Sequence, residues 1–174
     1  MESLETGRLL FGERTPEVVH EVQHLPFAEQ MKFFGFTDRK VLERTLSRLG
    51  KNKPQRYFEL IDKATGVVVG SAGFHTWLPE HERAEIGYGL HEPFQGKGYM
   101  KEALKQMLRI GFNDMELNRI EAFVGTRNKA SNGLMQHFGF QKEGVLRQHY
   151  KNNDVIEDSV AYSLLRSEYL ERNI

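Results

Sequence analysis

The chain has 174 residues, with 24 lysines and arginines against 24 aspartates and glutamates, and no cysteine. That length suits one domain with a sizeable core and is short for two, and the balanced charge leaves no global field to steer the chain onto nucleic acid or an anionic membrane. The absence of cysteine excludes disulfides, thiolate zinc sites and thiol nucleophiles. A single domain over residues 1–174 is therefore expected, in a reducing cytoplasmic setting. The start "MESLETGRLLFGERT" lacks the basic head and apolar core of a signal peptide, and no run approaches a membrane span. A soluble, unexported chain with no nucleic-acid and no membrane partner is the expectation.

Residues 8–13 read as a short strand. Thr15-Pro16-Glu17 reads as a helix start, a capping residue followed by proline in the first turn, and predicts a helix over 16–24 that Pro26 ends. A second amphipathic helix is predicted over 37–50, from Thr37 through Leu42, Leu46 and Leu49 to Gly50. β-Branched and aromatic runs at 56–62 and 67–77, separated by "KATG", and a third at 84–90 predict three consecutive strands. From Met100 onward, Ala103, Leu104, Met107, Leu108 and Phe112 fall on one helical face. A strand over 119–125, a short helix over 128–139 closed by Gly139, and two strands joined by "KNND" complete the pattern. The order β-α-α-β-β-β-α-β-α-β-β predicts an α/β sandwich whose central strands are buried on both faces.

His20 and His24, with Glu21 after the first, have the spacing of a zinc peptidase. The long form of that signature needs Gly at 27 and His at 30, where this chain has Phe27 and Gln30. A zinc site also needs a third protein ligand, and the helix stops at Pro26. The pair is read as two solvated histidines, and no metal site is expected.

The stretch "HEPFQGKGYMKEAL" (91–104) carries stronger chemistry, because two glycines stand between a strand and a long helix. Glycine lets backbone approach a ligand, and the unpaired amides of a first helical turn favour a phosphate. A Walker loop would need Gly at 91 and Ser or Thr at 98, where His91 and Gly98 stand. A dinucleotide fingerprint would need a third glycine at 101, which is Lys101. The alternative is a turn that merely starts a helix. On the preceding strand, "AEIGYGL", Glu85 lies inside an apolar run, and Gly87 and Gly89 mark a place where something extended can dock. A carboxylate buried there must be paired, hydrated or functional; pairing with a nearby Arg or Lys is the structural alternative.

Through "LETGRL", "AEIGYGLHEPFQGKGYMKEAL", "LNRIEAFVGTRNKASNGLMQHFGFQKEGVLR" and "DSVAYSLLRSEY", in order and spacing, the sequence resembles the GNAT superfamily of acetyl-CoA-dependent N-acetyltransferases. Within it, the resemblance is to the Rim-type branch that acetylates ribosomal-protein N-terminal alanines. The resemblance implies a GNAT-like single domain: a mixed, mostly antiparallel central sheet of about seven strands with helices on both faces. It also implies a splayed parallel strand pair that binds the cofactor. The family's pyrophosphate loop maps onto Gln95, Gly96, Lys97, Gly98, Tyr99 and Met100, its first position being Pro93 here in place of Gln or Arg. The pantetheine arm of coenzyme A is expected along the strand of Gly87 and Tyr88. Asn128 matches the family asparagine that bonds the cofactor arm, with a helix N-cap as its alternative role. Phe138, Gly139 and Phe140 are read as packing and a helix end.

The reaction implied is direct attack of a primary amine on acetyl-CoA in a ternary complex. An α-amine with pKa near 7.8 is about 14% neutral at pH 7, and a lysine near 10.4 roughly 0.04%, so an N-terminal acceptor needs only a modest base. Glu85 is the expected base, a role typically contributing about 10²–10⁴-fold. The tyrosine acid of many relatives is replaced by Met135. Ser131 matches a serine that holds the thiol in Rim-type relatives, and His149 ahead of Tyr150 aligns with a glutamate implicated there. His149 is otherwise an exposed hairpin histidine. The expected partner is an amine acceptor, a protein N-terminus first and a polyamine or small-molecule amine second, with a homodimer left open. A non-catalytic acyl-CoA sensor is the remaining alternative, kept by the Met135 and His149 departures.

Overall fold

The computed structural model describes residues 4–35, 39–40, 42–43, 55–152 and 154–172. Seven strands, β1 (Leu9–Glu13), β2 (Arg56–Asp62), β3 (Val68–Leu78), β4 (Arg83–Leu90), β5 (Arg119–Gly125), β6 (Gln141–Asn152) and β7 (Val155–Leu165), hydrogen-bond in the order β1-β2-β3-β4-β5-β7-β6. The β1–β2, β2–β3, β5–β7 and β6–β7 pairs are antiparallel. β4 and β5 run parallel, in register only at Arg83–Arg119, Ala84–Ile120 and Glu85–Glu121. The mixed, mostly antiparallel sheet expected from the sequence is therefore present. The described helices are α1 (Pro16–Gln23), α2 (Phe27–Phe34), α3 (Tyr99–Arg109), α4 (Lys129–His137) and α5 (Arg166–Arg172). No helix among the described residues is long and apolar enough to cross a membrane.

The chain divides into two compact units, Met1–His75 with Gly87–Met107 and Thr76–Ile86 with Leu108–Ile174. In the first, β1 alternates as a half-buried strand should, Leu9 and Phe11 inside and Leu10 outside. With Phe58, Leu60, Val69, Phe74, Ala103, Leu104 and Met107 they are buried. Thr15 caps α1, its hydroxyl accepting the Val18 N–H at 3.4 Å. Pro26 ends α1 as expected but also starts α2, which the sequence reading did not contain. Its locked φ of −53° lets the chain turn and restart, and α2 stops at Gly35 in the left-handed conformation, φ 65°. Phe27, Met31 and Phe34 are spaced for one helical face, and Phe34 is buried with Val22 and Leu42. Of the helix expected over 37–50, Arg39, Lys40, Leu42 and Glu43 are helical and the rest lies outside the described residues.

In the second unit, β5 buries Ile120, Ala122 and Val124 on alternate positions. The helix expected to run on to Phe112 keeps its α form only to Arg109 and then widens into a π turn over Ile110–Asp114. That turn buries Phe112, which stacks on Tyr169 of α5 at 4.7 Å between ring centres. α5 was also absent from the sequence reading. It is seven residues long, and its start is set by Glu168, whose carboxylate accepts the Leu165 N–H at 2.9 Å. The β6–β7 hairpin closes at the expected "KNND", with Asp154 at φ 65°.

Candidate active site

The turn entering α3 is built by two left-handed glycines. Gln95 is extended, Gly96 has φ 71°, Gly98 has φ 81°, and α3 begins at Tyr99. A side chain is strained at both glycine positions. Gly96, Lys97 and Gly98 are exposed, and a Cβ on Gly96 would meet nothing within 4 Å. Open backbone at the positive end of a helix is what an anion needs, and a diphosphate fits it. The flanking residues hold the turn. Gln95 Nε2 donates to Leu90 O at 3.1 Å, and Met100 is buried beneath the helix start. Tyr99 donates its phenol to Asp62 Oδ2 at 2.7 Å, and Asp62 also accepts from Thr65. The bond from Tyr99, then those from Thr65, hold the Asp62 carboxyl below its usual range, and the same carboxylate pushes the Tyr99 phenol up.

On β4, a Cβ on Gly87 would lie 2.6 Å from His75 Cε1, and His75 stacks on Tyr57 with rings 6° from parallel. Gly87 therefore has a packing reason of its own. Gly89 has none, since a Cβ there would meet open space, and Tyr88 between them is half-buried.

In the second unit Glu85 is half-buried where the sequence reading placed it in a buried strand, and Thr76 Oγ1 stands 3.5 Å from its Oε2. Arg83 bonds Glu121 at 2.6 Å, and Arg119 bonds Glu121 at 2.8 Å and Glu143 at 3.0 Å. A bond from Ser163, then those from Arg119, hold the Glu143 carboxyl low. The Tyr150 phenol is pushed up by burial and by the charge of Glu85, so a protonated tyrosine stands within reach of that carboxylate's field. His149 is exposed, its ring 4.5 Å from Tyr150 and 5.1 Å from Phe123. Glu85, Tyr150 and His149 thus form one neighbourhood.

Asn128 and Ser131 form another, at the start of α4. The Asn128 side chain accepts the Ser131 N–H at 3.0 Å, the N-cap alternative raised above. Asn132 was not singled out from the sequence, yet it ties this start down. Its amide donates to Gly125 O at 3.0 Å and Asn128 O at 2.7 Å, and its oxygen accepts from Tyr162 at 2.9 Å. A second asparagine four residues into "NKASN" was the available signal. Met135 is fully buried. His20 and His24 are exposed on and just after α1, their Nε2 atoms 3.3 Å apart. Among the described residues no three His, Cys, Asp or Glu are grouped to hold a metal ion.

The acetyltransferase (GNAT) domain family matches residues 11–141. The N-acetyltransferase p20 of Bacillus licheniformis, itself uncharacterised, is 34% identical over 154 residues, covering 88% of this chain and 83% of that protein. The ribosomal protein uS5-alanine N-acetyltransferase of Escherichia coli is 33% identical over 94 residues, 53% of this chain and 48% of that protein. Mutant forms of the spermidine/spermine N-acetyltransferase SpeG from Vibrio cholerae share the fold, with a TM-score of 0.74 over 97% of this chain and all of that one at 19% identity.

Proposed function

This chain belongs to the GNAT family, and as an acetyl-CoA-dependent acyltransferase of that family we propose that it acetylates the α-amine of a protein N-terminus in the cytoplasm. The observation that carries the donor half is the Gly96–Gly98 turn at the start of α3. The acceptor half is supported by the uS5-alanine relative and by the chemistry of Glu85, since an α-amine is already partly neutral near pH 7 and needs a single half-exposed carboxylate.

The backbone of Gly96, Lys97 and Gly98 would hold the diphosphate of coenzyme A, and the open side of Gly89 leaves room along the strand edge. When bound, acetyl-CoA supplies an acyl thioester. Glu85 accepts the proton of the attacking amine, directly or through water. Tyr150 stays protonated near that carboxylate and serves as a hydrogen-bond donor there. Ser131 donates from its hydroxyl to the thiol sulfur, which with a pKa near 8.5 needs no stronger acid. Asn128 spends its oxygen on the α4 cap and keeps its amide N–H free to meet an acyl-donor carbonyl.

Glu85→Gln tests this. With peptides bearing an N-terminal alanine, thiol release by the variant should fall by about 10²–10⁴-fold while calorimetric affinity for coenzyme A is retained. Full activity of the variant on the best acceptor refutes Glu85 as base. Faster turnover of spermidine or an aminoglycoside than of any peptide refutes the acceptor, and wild-type protein without affinity for coenzyme A refutes the reading as a whole.

A further inference from the structure

The N-terminal "LETGRL" has no part in the chemistry above, yet its arginine reaches the turn. Arg8 Nη1 donates to Lys97 O at 3.0 Å, its Nε donates to Glu102 Oε2 at 2.7 Å, and its guanidinium lies 4.4 Å over the Tyr99 ring. The Arg8 N–H and the Thr6 hydroxyl both donate to the other Glu102 oxygen, at 2.7 and 2.5 Å. We infer that Arg8 is a positioning residue for the diphosphate turn, orienting its central peptide and cancelling the Glu102 charge beside it; this rests on the donor half of the reading above.

Two physical points carry it. The Lys97–Gly98 peptide is trans, as no cis bond occurs among the described residues, so its C=O and N–H point in opposite directions. Holding the Lys97 carbonyl toward Arg8 therefore aims the Gly98 N–H away from Arg8. Glu102, for its part, sits in the first turn of α3. An ionised carboxylate there suits the helix dipole but repels an incoming phosphate. Burial opposes ionisation of Glu102, and the bonds from Thr6 and Arg8 outweigh it and hold the carboxyl below its usual range, so near neutral pH a negative charge stands beside the turn and needs its counter-charge. The Arg8 side chain is 46% exposed. An ion pair so exposed contributes little to global stability, which places the value of Arg8 in the turn it orders.

The test is kinetic. Arg8→Ala should raise the KM for acetyl-CoA about tenfold, leaving kcat and the acceptor KM within about twofold. Arg8→Lys, a point charge that cannot bond Lys97 O and Glu102 together as a planar fork does, should recover part of the loss. With S-acetylpantetheine, a donor that lacks the diphosphate, Arg8→Ala and wild type should be alike. An unchanged acetyl-CoA KM in Arg8→Ala, or equal losses with both donors, overturns the inference. If the alanine variant does not fold, the same comparison of two donors on Arg8→Lys decides. Wild type that binds no coenzyme A removes the underlying reading as well, whereas equal binding of coenzyme A by wild type and variant removes this inference alone.

Discussion

Replacing Arg14 by methionine is expected to destabilise the protein strongly above neutral pH and much less in mild acid. Arg14 and Glu59 form an ion pair whose side chains are 5% and 3% exposed, and the guanidinium also lies over Phe34 and Tyr57. Among the described residues Glu59 Oε2 is buried without a partner. Burial pushes the Glu59 carboxyl up, with Arg14 opposing the rise. Methionine keeps the aliphatic bulk but removes the charge, so Glu59 is left buried and ionised, at about 3–5 kcal/mol, or takes a proton. Protonation sets the ceiling. With an unfolded carboxyl near 4.3 and about 1.36 kcal/mol per pH unit, neutralising it costs about 5 kcal/mol at pH 8 and about 1 kcal/mol at pH 5. A carboxyl raised in the folded state gives stability that is complete below its unfolded value and lost as pH climbs through the folded one. Without Arg14 that loss is deeper and extends to higher pH. Urea denaturation of wild type and variant at pH 5 and pH 8 should show a destabilisation larger by about 2–4 kcal/mol at pH 8. Adding Glu59→Leu should restore most of it, because an apolar pair replaces a buried ionic one at little cost. Equal destabilisation at both pH values would refute the reasoning.

Asn128 can be split into its two roles: Asn128→Ala should cost about 1 kcal/mol of stability through the lost N-cap, while Asn128→Asp should keep the cap and raise only the acetyl-CoA KM, as read by thermal melts and kinetics together. The two β4 glycines should part company in a melt. Gly87→Ala, pressed against His75, should cost about 1–3 kcal/mol, and Gly89→Ala, with open space, should leave the melting temperature unchanged while weakening donor binding. His149→Ala should leave kcat within about twofold, as fits an exposed ring, and a loss of about 100-fold would make that histidine a base.

The strands, α3, α4 and the hairpin turns were legible because each is written in local pattern: alternation in β1 and β5, a helical stripe from Ala103 to Met107, and glycines where left-handed backbone is required. α2 and α5 were not, because eight and seven residues hold too few repeats of a helical period to stand out. Their stability comes from Phe34 packing with Val22 and Leu42, and from Tyr169 stacking on Phe112. In the site, the turn at 95–100 could be read from which residues it contains and which it lacks. The packing at Gly87 could not be read from the sequence, since its neighbour His75 lies on another strand and only the fold brings the ring over it.

The sequence by itself determined the order of the strands and of α1, α3 and α4 among them, the glycine turn before α3 and the exclusion of a cysteine nucleophile, since all of these depend on residue type and on spacings of a few positions. Tertiary structure alone decided which charges meet. Arg8 answers Glu102 across 94 positions, Asp62 receives Tyr99 across 37, and burial, with the charge of Glu85 on a different strand, raises the Tyr150 phenol. Such pairings depend on strand register and on burial, and both come into being only when distant segments share a sheet and exclude water.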